Sequence, residues 1–219
     1  MKILSFNVGE ESKQKLKSVV RGRLIVFIDA ANLERSVQSF FVSPKDIPEN
    51  FRNYFPENLC WRVDYERFKK FFQTLGDLID IRFYSPDFQT ESHRKFFWFL
   101  DKSLKIKLST KPLKEYFDHS QIHPHRKANF DVEIAVDATF NLDDYDTFIL
   151  FSGDCDFEFL LKFLRGQKKE AIVFSRFGHV AKELIPACSH YFDLVDFRHD
   201  FLRIEVKKQK TPPLGEIRG

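Results

Sequence analysis

The chain has 219 residues, 43% hydrophobic and 31% charged, with a net charge of +3 and a pI near 8.6. That is enough apolar material for one domain with embellishments, and too even a charge balance for a protein that binds polyanions by bulk basicity alone. Cys60, Cys155 and Cys188 are odd in number and widely spaced, which argues against a disulfide framework or a paired-cysteine metal module and favours the reducing cytoplasm.

The N-terminal Met1-Lys-Ile-Leu-Ser-Phe6 lacks the apolar core of a signal peptide, and no run approaches the roughly 18 apolar residues of a membrane span. Residues 1–22 are polar and read as a helical or loosely ordered N-terminal extension. Arg23 to Ile28 is a continuous apolar run, suited to a strand covered on both faces. Asp29-Ala-Ala-Asn32 ends it, and Leu33 to Phe41 reads as a helix. Residues 42–63 carry Pro44, Pro48 and Pro56 and read as a loop insertion. Asp64 is placed to cap a helix from Tyr65 to Leu75, with Phe68, Phe71 and Phe72 on one face.

Leu78 to Tyr84 is the next predicted strand, stopped by Ser85-Pro86. Glu91 to Leu104 follows as a helix and 105–110 as a half-exposed strand. Residues 115–127 form a second predicted loop insertion, holding His119, His123, His125, Arg126 and Lys127. Asp131 opens a helix from Val132 to Phe140. The remaining expectations are a strand at 147–151, a helix at 156–165, a strand at 171–174, a helix near 180–187 and a short strand at 191–195. Residues 201–219 read as a basic C-terminal tail, leaving 23–200 as the main domain. Alternating strands and helices predict a central, mainly parallel sheet with helices on both faces and right-handed crossovers. Many of the 27 phenylalanines must fill its core.

Four acids stand at comparable places in this scheme. Asp29 follows the first strand, Asp154 and Asp156 follow the strand at 147–151, and Asp131 starts a helix. Strand C-termini and helix N-termini share one edge of a parallel sheet, where ligand sites of open α/β folds lie. Two carboxylates about 4 Å apart repel by about 4 kcal/mol at an effective dielectric near 20, which a divalent cation would offset. Such a cation would also activate water toward a phosphodiester. Taken alone, Ser152-Gly-Asp-Cys-Asp-Phe157 is equally well read as a helix cap. Asn32, one turn into its helix, is placed to hold a phosphate, a water or a ligand carboxylate.

Three segments, Phe27-Ile-Asp-Ala-Ala-Asn-Leu33, Lys127-Ala-Asn-Phe-Asp-Val-Glu-Ile-Ala-Val-Asp137 and Leu150-Phe-Ser-Gly-Asp-Cys-Asp-Phe157, together resemble the NYN family, the LabA-like branch of the PIN-like nucleases. Ala30 and Ala128 stand where that family usually has glycine. The resemblance runs from about Arg23 to Phe197. It implies a Rossmann-like PIN fold and a metal-dependent ribonuclease, an endonuclease on single-stranded or structured RNA, using Mg²⁺ or Mn²⁺. Carried over residue by residue, Asp29, Asp131, Asp154 and Asp156 match the acidic, catalytic metal site. Asn32 matches the polar residue after the first acid, and Asp137 matches a recurrent helix acid.

Ser152, Arg126 and Lys127 are further candidates for contact with substrate. Lys102, Lys105, Lys107, Lys111 and Lys114 form a basic stretch that would either track a phosphate backbone or lie on an ordinary solvated surface. His119, His123 and His125, with Tyr116 and Phe117, would stack bases or form a plain surface loop; a zinc site from the three histidines is a third reading, for which no cysteine or fourth ligand is spaced. Cys155 is either a soft metal contact or a bystander. The consecutive Phe96, Phe97, Trp98 and Phe99 cannot all face one side of a helix, so one or two would be exposed for a partner such as a second copy.

Two other readings compete with the nuclease. A non-catalytic RNA- or protein-binding module on the same fold would have no use for four carboxylates facing a polyanion. A phosphatase with Asp29 as nucleophile would need an acid two residues on, where Ala31 stands; a dinucleotide enzyme would need a Gly-rich turn that the chain lacks.

Overall fold

A computed structural model describes residues 8–116, 125–127 and 129–207. Helix α1 (Val8–Val19) leads into strand β1 (Arg23–Asp29), helix α2 (Ala30–Gln38), strand β2 (Leu59–Val63) and helix α3 (Tyr65–Gln73). Strand β3 (Asp77–Asp87), helix α4 (Glu91–Trp98) and strands β4 (Lys107–Pro112), β5 (Lys114–Tyr116) and β6 (His125–Lys127) follow. The C-terminal half holds helix α5 (Asp131–Phe140), strand β7 (Thr147–Phe151), helix α6 (Glu158–Gly166), strand β8 (Glu170–Ser175), helix α7 (Leu184–Ala187), strand β9 (His190–Asp193), helix α8 (Arg198–Phe201) and strand β10 (Leu202–Val206).

The main sheet has the order β4-β3-β1-β7-β8-β9, with every neighbouring pair parallel. The chain therefore builds outward from β1 in one direction, returns, and builds outward in the other. Between β1 and β7 the direction of winding reverses, and the loops at their C-terminal ends diverge to leave a crevice. Side chains alternate across the sheet as a period of two demands. Leu24, Val26, Ile28, Ile149, Phe151, Ile172 and Phe174 enter the core under α1, α2 and α3. Ile25, Phe27, Phe148, Leu150, Ala171 and Val173 enter the core under α5, α6 and α7. The first core is built on phenylalanine: Phe151 and Phe174 stack at 4.8 Å, and Phe68 and Phe72 close on Phe151 at 5.0 and 5.7 Å.

Several boundaries differ from the sequence expectation. β3 runs through Ser85-Pro86 to Asp87, because pairing with β1 ends at Tyr84 and a proline costs no ladder bond on a free side. The expected loop at 42–63 contains three short 3₁₀ turns and then β2, which pairs antiparallel with β10. Residues 202–206, expected as tail, are that partner strand; Leu202 and Ile204 are buried. The helix expected over 91–104 widens into a π-helical segment at Phe99–Ser103. The helix expected near 180–187 shortens to α7, and the strand expected over 191–195 is β9, ended where Asp193 caps the next turn through the Val195 amide. Within 115–127, β5 and β6 pair as an antiparallel ribbon, while His119 and His123 lie outside the described residues, as do residues 208–219 of the tail. Of residues 96–99, Phe96, Phe97 and Phe99 are half-buried and Trp98 is exposed.

Candidate active site at the carboxyl edge of the sheet

Asp29 is both the last residue of β1 and the N-cap of α2. Its carboxylate accepts from the Asn32 amide at 3.3 Å, from Asn32 Nδ2 at 3.0 Å and from Ser152 Oγ at 3.2 Å. Asn32 Oδ1 in turn accepts the Gly153 N–H at 3.2 Å. The Asn32 side chain thus ties the start of α2 to the loop after β7, across the crevice between the two central strands. Ser152 Oγ also accepts the Asp154 N–H at 3.2 Å. Gly153 has no alternative here: a Cβ would lie 2.2 Å from the His179 carbonyl oxygen and 2.7 Å from Ser175 Oγ.

Asp154 caps the 3₁₀ turn Cys155–Phe157, its Oδ1 accepting from the Asp156 N–H at 3.2 Å. The cap expected in this segment is therefore Asp154, and Asp156 is exposed. The cap and the site are the same atoms, so the two readings of this segment do not exclude each other. Asp131 opens α5, its N–H donating to Asn129 Oδ1 at 2.9 Å, where the helix N-terminus favours a carboxylate.

Asp29, Asp131 and Asp154, with Asn32, line one cleft of about 500 Å³. Burial pushes the Asp29 carboxyl above its ordinary value, opposed by the Asn32 and Ser152 hydrogen bonds and assisted by Asp154. Burial also raises Asp131, and the charges of Asp154, Asp156 and Asp29 add to that. Among the described residues no basic side chain forms an ion pair with any of the four. One ligand atom each from Asp154, Cys155 and Asp156 fall within 4.8 Å of one another. Desolvation and the Asp154 and Asp156 carboxylates raise the Cys155 thiol above its ordinary value.

Asp137 stands apart from the cleft. Its Oδ2 accepts from the Tyr84 hydroxyl at 2.8 Å and pairs with Arg82 at 3.2 Å; Arg82 also pairs with Asp80 at 3.3 Å. This network ties α5 to β3. The basic stretch is largely neutralised: Lys102 pairs with Asp101, Lys107 with Asp80 and Lys111 with Glu133. Arg126 and Lys127 lie on β6, and their side chains are outside the described residues. The cleft also takes in residues that the sequence reading did not single out: Arg35, Pro86, Phe88, Leu113, Asn129 and Phe130. Arg35 follows Asn32 by three positions, a helical neighbour spacing that marks a shared face.

Fold and site together define a class: a Rossmann-like parallel α/β domain with acids gathered where the winding reverses. The NYN domain profile matches residues 23–196, and the chain belongs to the NYN domain family. It is 32% identical over 179 residues to the low amplitude and bright protein LabA of Synechococcus elongatus, across 80% of this chain and 86% of that protein. The crystal structure of a protein of unknown function from Vibrio parahaemolyticus matches with a TM-score of 0.59 at 20% identity, over 84% of this chain and 97% of that one, a likeness of fold. Among the described residues, no helix is long and apolar enough to cross a membrane.

Proposed function

We propose that this protein is a divalent-metal-dependent ribonuclease that hydrolyses RNA phosphodiester bonds internally, with Asp29, Asp131, Asp154 and Asp156 as its acidic centre. The observation that carries the reading is the convergence of three of these carboxylates on one cleft, with Asp156 beside Asp154 and no ion pair to any of the four among the described residues. The donor set is mainly carboxylate oxygens, which suit a hard cation such as Mg²⁺ or Mn²⁺. When bound, such a cation supplies positive charge toward the phosphoryl oxygens and acidity toward the attacking water.

The chain's own residues do the positioning. Asn32 and Ser152 fix the orientation of Asp29, and Gly153 lets the loop after β7 approach closely enough to present Asp154. Asp29, Asp131 and Asp154 would hold the cation, with Asp156 beside Asp154. Arg126 and Lys127 are assigned to the RNA backbone. Asp137, engaged with Arg82 and Tyr84, is assigned to structure. The three free cysteines accord with a cytoplasmic setting.

The test is incubation of the purified protein with mixed single-stranded RNA and DNA in Mg²⁺, Mn²⁺ or EDTA. Cleavage of RNA in metal but not in EDTA is expected, and Asp29→Asn or Asp154→Asn should lower it by about 10²–10³-fold with unchanged circular dichroism. Full activity in either variant would overturn the assignment. Tight RNA binding without turnover in Mn²⁺ would instead identify a binding module.

A further inference from the structure

The acid cleft has a wall that the proposed chemistry leaves unused. Beyond Tyr84, β3 pairs among the described residues with β4 alone and carries Pro86 and then Phe88 to the edge of the cleft. Phe88 is 52% exposed. Its ring is held rather than loose: it meets the His93 ring edge-on at 4.9 Å and 73°, and His93 packs on Phe97 at 4.2 Å. Leu113 and Phe130 extend the same apolar wall. From α2, Arg35 enters the cleft as the basic side chain among its described lining residues, and it enters no ion pair among the described residues.

A fixed aromatic ring, a guanidinium and a carboxylate centre within about 500 Å³ match the parts of one nucleotide and its neighbouring phosphate. We propose that Phe88 and Arg35 form a nucleotide subsite, in which an unpaired base stacks on Phe88 while Arg35 takes the phosphate next to the scissile one. The proposal rests on the nuclease reading for its placement of the scissile bond. A base can reach Phe88 only when it has left a duplex stack, so the subsite selects unpaired positions in RNA. Arg35 matters here because a polyanion entering between carboxylates needs a counter-charge that does not displace the cation.

Two measurements separate this subsite from the acid centre. Binding is read with 2-aminopurine placed along a short RNA, on the Asp154→Asn background in Mn²⁺. Cleavage is read on the wild-type background, with intact RNA and with RNA made abasic at the position that 2-aminopurine reports. Phe88→Ala should weaken binding and raise KM roughly 10- to 100-fold on intact RNA, while leaving the abasic RNA cleaved as by the wild type; Phe88→Tyr should restore the loss. Arg35→Ala should raise KM and flatten the salt dependence of binding, whereas Arg35→Lys recovers part of both. If RNA is cleaved and neither Phe88→Ala nor Arg35→Ala alters KM, the subsite is overturned and the acid centre stands. If no RNA is cleaved but the 2-aminopurine signal depends on Phe88, the acid centre fails and the subsite stands.

Discussion

Gly153 carries more of the site than its size implies. Its amide holds Asn32, and its bare Cα lets the loop pass the His179 carbonyl. Gly153→Ala forces a backbone oxygen away from a 2.2 Å approach, so a loss of about 1–3 kcal/mol is expected, measured by chemical denaturation. Cleavage should fall with it, because Asp29 and Asp154 share the displaced loop. His93 makes a second prediction. Burial lowers its pKa, and its Nδ1 is buried without a hydrogen-bond partner among the described residues. The unfolded chain therefore takes up a proton near pH 6.5 while the folded chain still resists. Stability from this group is complete above 6.5 and is lost as pH falls through the lower folded value. His190 is shifted the same way by burial. Denaturation curves between pH 7.5 and 5 should show a shallower pH slope for His93→Phe than for the wild type; equal slopes would refute the assignment. At this scale Asp29, Asp131 and Asp154 were legible, since each sits at a local strand-to-helix change. Phe88, Leu113 and Phe130 were not, because only the folded sheet brings their separate loops to one cleft.

Among the elements, β2 and β10 show what local patterns leave out. Leu202-Arg-Ile-Glu-Val206 alternates as a half-buried strand should, but its partner lies about 140 residues earlier behind a proline-rich stretch that imitates a loop. Short ribbons gain little from propensity and depend on what their apolar face meets. Here Ile204 lies opposite Trp61, and both are buried. Ile204→Ala should cost about 2–4 kcal/mol, whereas Arg203→Ala, on the exposed face, should stay within about 0.5 kcal/mol. A comparable loss from both would mean the ribbon is held by its charges rather than by its apolar side. By contrast β7 was readable to the residue, because Thr147 to Phe151 is buried throughout and needs no distant partner to explain its composition.

Across the molecule, the alternation of elements was enough to infer a parallel sheet with two covered faces, but not the order of its strands. That order comes from which crossover turns which way around β1, and it decides that Asp29 and Asp154 become neighbours. The two cores are unequal in kind. The one under α3 concentrates aromatic rings, with Phe151 touching Phe68, Phe72, Phe174 and Phe201. Phe151→Ala should therefore cost about 3–5 kcal/mol, a large share of the roughly 5–15 kcal/mol that holds a domain of this kind. Thermal unfolding followed by calorimetry checks it, and a loss below about 1 kcal/mol would show that the rings re-close over the gap.

The two tryptophans divide the protein optically. Trp61 is 3% exposed within the β2–β10 ribbon, its Nε1 donating to the Phe41 carbonyl, while Trp98 is 62% exposed at the end of α4. Replacing Trp98 with phenylalanine leaves one indole, and its emission colour then becomes a clock hand for a single event: the moment water reaches the ribbon, timed independently of the helices that circular dichroism follows.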